Sequence, residues 1–279
     1  MKSEPNTRRI RQRFDAAAQS YDRHAVLFDE VGRRLLERLD GLRFEPERIV
    51  DLGCGTARHT LALRERYPES KLLGLDSAPA MLARARKRRG RWRPRFDLAC
   101  ADAGAPPLAE ASVDLAFANL ALQWSGNLAT TLSGLRRIMR PRGLLLMTLP
   151  GPDTLVELQR AGATVDMGTR AHAQELGDLL TRAGFQEPVL DTDWLTTTHA
   201  DLASLLADLE HLGLDYSLPG GAQAIERELP NTHEGSIAVT WEVLYATAWS
   251  PDEGQPIRTD QGEEASISAA SLGIRKRRS

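Results

Sequence analysis

Short apolar runs alternate with amphipathic stretches along the first half of the chain, and this pattern predicts a parallel α/β sheet. Ile10, Phe14, Ala17, Tyr21, Ala25 and Phe28 recur at three- and four-residue intervals, so 7–40 reads as one or two helices with one apolar face. After the loop GLRFEPER (41–48), RIVDL is a first strand that runs into the glycines of GCG. TLALRERYP (60–68) is a helix that Pro68 ends, KLLGLD (71–76) a second strand, and APAMLARARKRR (78–89) a helix with Pro79 in its first turn. FDLACAD (96–102) is a third strand. SVDLAFANLALQW (112–124) starts as a fourth and turns after Phe117 or Ala118. NLATTLSGLRRIMR (127–140) is a helix ended by Pro141, and GLLLMTLP (143–150) is a fifth strand. Strands apolar on both faces belong to a parallel sheet covered by helices, joined by right-handed crossovers.

Beyond Pro150 the pattern loosens. GPDTLVELQRAGATVD suggests a helix, QELGDLLTRAGF (174–185) a better one, and QEPVLDTDWLTTT a strand. ADLASLLADLEHLG (200–213) is amphipathic, and SLPGGAQ is a turn-rich break. SIAVTWEVLYATAWS (236–250) alternates and is rich in β-branched and aromatic residues, as a strand is. The organisation expected is an N-terminal helical cap over 1–45, a ligand-binding core over 46–150, further helices and strands of the same sheet over 151–250, and a loosely packed polar tail over 251–279.

Composition narrows the class. With 279 residues, 42% hydrophobic and 27% charged, the chain suits one globular α/β unit with additions. No apolar run reaches the ~18 residues a transmembrane helix needs. The N-terminus has no apolar stretch of the secretory kind, so the expected location is the cytosol. Two cysteines, Cys54 and Cys100, make neither a disulfide framework nor a four-ligand zinc site, and the six histidines show no paired ligand spacing. No metal is expected. The net charge of −2 hides an asymmetry: residues 1–100 hold 23 Lys and Arg against 14 Asp and Glu, or +9, whereas the remainder holds 13 against 24, or −11. The basic half could face an acidic partner or be a solvated surface.

The most informative segment is IVDLGCGTAR. Gly53 and Gly55 fall where a strand turns into a helix, where glycine permits positive φ and close approach of a ligand. A dinucleotide fingerprint would place glycine at position 58, but Arg58 stands there. Asp51, two residues before the first glycine, suits a ligand without pyrophosphate but with a cationic amino-acid portion: S-adenosylmethionine (SAM). Asp76 ends the second strand and can accept from ribose hydroxyls; Asp102 ends the third and can reach an adenine amine. One Asp at a strand end is more often a cap or turn residue, but three in register with GCG make a ligand site.

These residues resemble the class I SAM-dependent methyltransferases. The resemblance is carried by VDLGCGTA, LLGLDSAPAML, CADAGAPPL, VDLAFANLALQW and LRRIMRPRGLLLMT, over residues 8–150. It implies a Rossmann-like sheet of seven strands, mostly parallel, with the 236–250 segment antiparallel, an N-terminal helical cap and a small lid insertion. It implies a cofactor site of Asp51, Gly53, Cys54, Gly55, Asp76, Ser77, Met81, Asp102, Ala103 and Asn119. Ala57 stands where many members have a third glycine.

A finer resemblance, in FDAAAQSYDRHAVLF, NLALQWSGNLATTLSGLRRIMRPRG, GPDTLVELQRA and LTRAGFQEPVLDTD, is to the malonyl-acyl-carrier-protein O-methyltransferases of biotin synthesis. In that family SAM methylates the free carboxyl of a malonyl thioester, so the implied partner is an acidic carrier protein. A malonyl carboxylate is ionised near pH 7 and needs no general base, which agrees with the lack of a triad. Tyr21 is the candidate catalytic residue, as a hydrogen-bond donor to cofactor or carboxylate, with core packing as its alternative role. Gln123 and Trp124 are candidate substrate-binding residues. Arg58, Arg160 and Arg170 are candidates for the cation facing the carboxylate; His59 is read as a helix-start residue rather than a base. The segment MGTRAHAQELGD is shorter than in relatives and would belong to the lid. The run RARKRRGRWRPR, with Arg84, Arg86, Lys87, Arg88, Arg89, Arg91, Arg93 and Arg95, is either a carrier-docking face, a solvated face or a patch that attracts RNA. Nucleic acid is the less favoured partner, because aromatics are only 5% and no stacking module is evident. Two other readings stay open: a methyltransferase of different specificity, and a SAM-binding assembly factor related to the complex I assembly and arginine hydroxylase group.

Overall fold

The computed structural model describes residues 7–92, 94–229, 235–255, 257–259 and 262–264. The apolar periodicity of the N-terminus yields three helices rather than one or two: α1 (Thr7–Ala17), α2 (Tyr21–His24) and α3 (Val26–Glu37). The break lies at Ser20, whose hydroxyl meets the Ala17 carbonyl at 3.2 Å and His211 Nδ1 at 2.9 Å. A side chain that bonds its own backbone competes with the helix, and here a tertiary partner reinforces it.

The expected alternation follows: β1 (Arg48–Leu52), α4 (Arg58–Arg66), β2 (Lys71–Asp76), α5 (Pro79–Arg89), β3 (Asp97–Cys100), β4 (Val113–Ala118), a 3-10 turn (Leu122–Trp124), α6 (Leu128–Ile138) and β5 (Met139–Pro150). β5 starts four residues earlier than expected. Pro141 disfavours helix in the residue before it, so α6 stops at Ile138, and the chain passes through an irregularity in the β4–β5 register with Arg142 at φ 60. The second half supplies α7 (Val156–Arg160), β6 (Thr164–Asp166), α8 (Ala173–Arg182), β7 (Gln186–His199), α9 (Leu202–His211), β8 (Asp215–Ser217), α10 (Ala222–Glu228) and β9 (Ile237–Trp249). The helix expected across 151–166 is cut to α7. The residues after it pair as β6 with β8 in a separate two-stranded sheet, and α10 follows the turn-rich break. In the expected polar tail, Ile257–Thr259 (β10) and Gly262–Glu264 (β11) pair antiparallel; the rest of the tail lies outside the described residues.

The main sheet has seven strands in the order β3-β2-β1-β4-β5-β9-β7. The first five are parallel, and β9 runs antiparallel to both β5 and β7. Period-two alternation divides β5 between two cores: Leu144 and Leu146 pack with α3, α4 and α9, while Leu145 and Met147 pack with α6 and α8. The sheet is therefore covered on both faces, and the carboxyl ends of β1, β2, β3 and β4 converge on one edge. No helix of the described residues is long and apolar enough to cross a membrane.

Candidate active site

At that edge lies a cavity of about 510 Å³, walled by residues from α1 and α2, the glycine turn, the ends of β2, β3 and β4, and the 3-10 turn. A recess of about 40 Å³ adjoins it and shares Tyr21, Gly53, Gly55 and Asn119 with it. The first volume is in the range of pockets that take a nucleoside-sized ligand.

The two glycines of the turn have different jobs. Gly53 has φ 72, and a Cβ on it would lie 2.4 Å from the Ala121 Cβ, so packing alone demands glycine. Gly55 has φ 53, but a Cβ there would meet nothing within 4 Å, because it faces open cavity. Ala57 is also left-handed, at φ 65, which explains why the position suits glycine; alanine bears a strain of about 1–2 kcal/mol there.

Asp76, at the end of β2, accepts from the Gly55 N–H and the Ala78 N–H, each at 2.8 Å, and lines the cavity. Burial pushes its carboxyl up to about 6, against those backbone donors. A carboxylate on the Gly55 N–H occupies the donor that a pyrophosphate would need and repels phosphate. The site therefore suits a nucleoside with no phosphate. Asp51 is 2% exposed, lines the recess, and takes a hydrogen bond from the Thr60 hydroxyl. Burial pushes its carboxyl up to about 7, with Asp76 adding to the shift. An opposite charge beside a buried carboxylate would favour its ionised form, so the recess suits a cation. A nucleoside carrying a cationic chain meets both conditions, and SAM is such a ligand.

Ser77, Met81, Asp102, Ala103 and Trp124 also line the cavity. Asp102 is exposed and accepts from the Gly104 N–H at 2.8 Å, so it also holds its own turn. Asn119 is fixed by two bonds: its amide donates to the Phe28 carbonyl at 2.8 Å and its oxygen accepts from Thr148 at 2.8 Å, while Thr148 itself accepts from the Leu120 N–H at 2.9 Å. Cys54 sits behind the turn on the recess side, and burial pushes its thiol up, so it is no nucleophile. Gln123 is turned into the protein. Its amide donates to the Leu120 carbonyl at 2.7 Å, and the cavity wall is its neighbour Trp124.

Tyr21 stands at the junction of cavity and recess. Burial, and then the charges of Asp76 and Asp22, push its phenol upward, so it stays a protonated donor. His59 packs against Gly32 and near Phe117, and burial pushes it down to about 4, so it is neutral and structural. None of the three candidate arginines lines the larger cavity, and of the three only Arg58 borders the recess. Arg58 is tied to Asp29 and to the Asp22 carbonyl (2.9 Å), Arg170 donates to the Val165 carbonyl at 3.2 Å, and Arg160 ends α7. The cations that do line it are Arg8 and Arg11.

Several contributors were not visible in the sequence pattern. Phe14 reads as core but closes the cavity, edge-on to Tyr21 and to Trp124, with ring centroids at 6.5 and 5.8 Å. Asp22 joins the cap to the glycine turn through Thr56 and Arg88 (2.9 Å). The cap is held to the second half of the chain by Arg13 with Asp166 (3.0 Å), Arg9 with Asp215, and His24 with Asp208 (2.7 Å). Only spatial proximity, not spacing, reveals these pairs.

A methyltransferase-domain family model matches residues 49–143. A likeness of fold extends to a Haemonchus contortus phosphoethanolamine N-methyltransferase solved with S-adenosyl-L-methionine (TM-score 0.58, 16% identity, 85% of this chain and 57% of that one). It extends also to a Burkholderia thailandensis 1,6-didemethyltoxoflavin-N1-methyltransferase solved with S-adenosylhomocysteine (TM-score 0.54, 17% identity, 90% and 92%). Among curated proteins, the malonyl-[acyl-carrier protein] O-methyltransferase of Halorhodospira halophila is 39% identical over 96% of this chain and 95% of its own length. That of Xylella fastidiosa is 41% identical over 98% of both chains. At that identity, over the cap and the second half as well as the core, the chain belongs to the malonyl-[acyl-carrier protein] O-methyltransferase family of SAM-dependent methyltransferases.

Proposed function

We propose that this protein methylates the free carboxylate of a malonyl thioester on acyl-carrier protein, the methyl ester that biotin synthesis uses to disguise the carboxylate. The observation that carries the cofactor half is the Asp76 carboxylate on the Gly55 N–H beside an open glycine face. The acceptor half rests on the near-full-length kinship with that family.

Asp76 would hold the ribose hydroxyls, Asp102 and Ala103 the adenine, and Ser77 and Met81 the flanks of the nucleoside. Asp51, with Gly53, Cys54 and Asn119 around the recess, would face the cationic end. Bound SAM supplies an electrophilic methyl on a sulfonium. The chain's own residues bind, orient and exclude water. The acceptor carboxylate has no proton to lose at neutral pH, so the protonated Tyr21 and the neutral His59 are no handicap. Tyr21 can donate to the carboxylate and orient it. Opposite charges cancel as carboxylate meets sulfonium, so a wall of Phe14, Leu120 and Trp124 that sheds water favours the reaction.

The test is the intact mass of malonyl-acyl-carrier protein incubated with this protein and SAM. A gain of one methylene unit supports the reading. SAM consumption with a different acceptor would favour another specificity, and binding without turnover would favour an assembly role.

A further inference from the structure

We infer that the outer faces of α5 and α1, with Arg91 and Trp92, form the docking surface for an acidic carrier protein, and that Trp92 is its apolar anchor. This rests on the reading that the acceptor is tethered to a protein.

No acidic residue lies between Asp76 and Asp97, while eight Lys and Arg do. Arg93 is one of them and lies outside the described residues. Two of the others are engaged internally: Arg88 bonds Thr56 and Asp22, and Arg95 bonds the Arg88 carbonyl. The side chains of Arg84, Arg86, Lys87 and Arg91 make no hydrogen bond or ion pair among the described residues, and Arg86, Lys87 and Arg91 are exposed, while Arg89 is half-buried. Their charge is therefore turned outward. In their midst Trp92 is 91% exposed. A solvated basic face has no use for an exposed indole, whereas Trp and Arg together are the residues that dominate binding energy at interfaces.

The position suits delivery into the cavity. The start of α5 supplies Met81 to the cavity wall, and α5 packs against α1 through the Ala80 N–H on Asp15 at 2.7 Å. α1 adds Arg8 and Arg11 on the cavity wall. A carrier seated here lies beside the α1 and α5 residues that wall the cavity. The charge balance along the chain points the same way. Residues 101–279 carry −11 and would repel an acidic partner, while 1–100 carry +9.

The test compares W92A and R86E/K87E with wild type on carrier-bound malonyl and on malonyl-coenzyme A, with SAM affinity by calorimetry as the check on folding. The expected result is a rise of about tenfold or more in KM for the carrier substrate, with kcat, SAM affinity and turnover of the coenzyme A thioester unchanged. Rising salt should weaken the wild type on the carrier more than it weakens R86E/K87E. An equal loss on both thioesters, or no loss on the carrier, would overturn the proposal. Binding of unloaded carrier separates docking from chemistry. Salt-sensitive binding that R86E/K87E loses supports docking even if wild type leaves malonyl unmethylated, in which case the functional reading fails alone. No carrier binding, or tighter binding of a structured RNA, would overturn the docking surface.

Discussion

Replacing Asp76 tests the cofactor placement at its centre. Each of its carboxylate oxygens already takes one backbone N–H, from Gly55 and from Ala78 at 2.8 Å, leaving lone pairs toward the cavity. Hydrogen bonds to a charged group contribute about 1.5–3 kcal/mol each. Two ribose hydroxyls at the low end of that range amount to about 3 kcal/mol, or roughly 160-fold in Kd. Asp76→Ala should weaken SAM binding by about that factor, and Asp76→Asn, which keeps shape and one acceptor, by about tenfold. Calorimetry belongs at pH 8, well above the carboxyl's raised value of about 6. As pH falls through 6, protonation turns an acceptor into a donor. Wild-type affinity should therefore drop there, and the Asp76→Asn variant should follow a shallower curve. If Asp76→Ala bound SAM within twofold of wild type with an unchanged melting temperature, the ribose would not lie on Asp76.

Three further outcomes follow from the same geometry. Gly55→Ala should fold and lose SAM binding, because its methyl enters open cavity, whereas Gly53→Ala should lose stability, because its methyl strikes Ala121; melting curves and SAM titrations separate the two. Tyr21→Phe should cut kcat/KM for the malonyl substrate about fivefold, the loss of one hydrogen bond of about 1 kcal/mol, with an unchanged melting temperature; unaltered turnover would leave Tyr21 a packing residue. Asp51 and Asp76 are raised to about 7 and 6, so the folded chain holds these protons longer than the unfolded one. Their share of cofactor-free stability is present at low pH and is lost as pH rises through 6 to 7. Asp51→Asn should flatten that part of the melting-temperature profile.

What was legible in the sequence was local. The periodicity of 48–150 placed five strands, because each is a short run of mostly apolar residues and the turns between them carry glycine, proline or aspartate. The cavity lining was legible because the glycine turn, Asp76 and Asp102 all fall at strand ends, where parallel strands deliver side chains to one edge. Distant pairings were not legible. Thr164–Asp166 and Asp215–Ser217 are three residues each, too short for a period, and form strands because they meet. Phe14 looked like core because an apolar helix face reads alike whether it covers leucines or a cavity. The break at Ser20 depends on His211, 191 residues away. The arginines flanking the cavity on α1 were hidden among the other basic residues of that helix.

The most direct test of the account follows an isotopically labelled methyl group from SAM. After reaction with malonyl-acyl-carrier protein, the label should appear on the carrier's acyl group as a methyl ester and be released by mild alkaline hydrolysis, as an oxygen-bound methyl is. Label that resisted hydrolysis, or that lay on the carrier's protein chain, or an acyl group left unlabelled while S-adenosylhomocysteine accumulated, would contradict it.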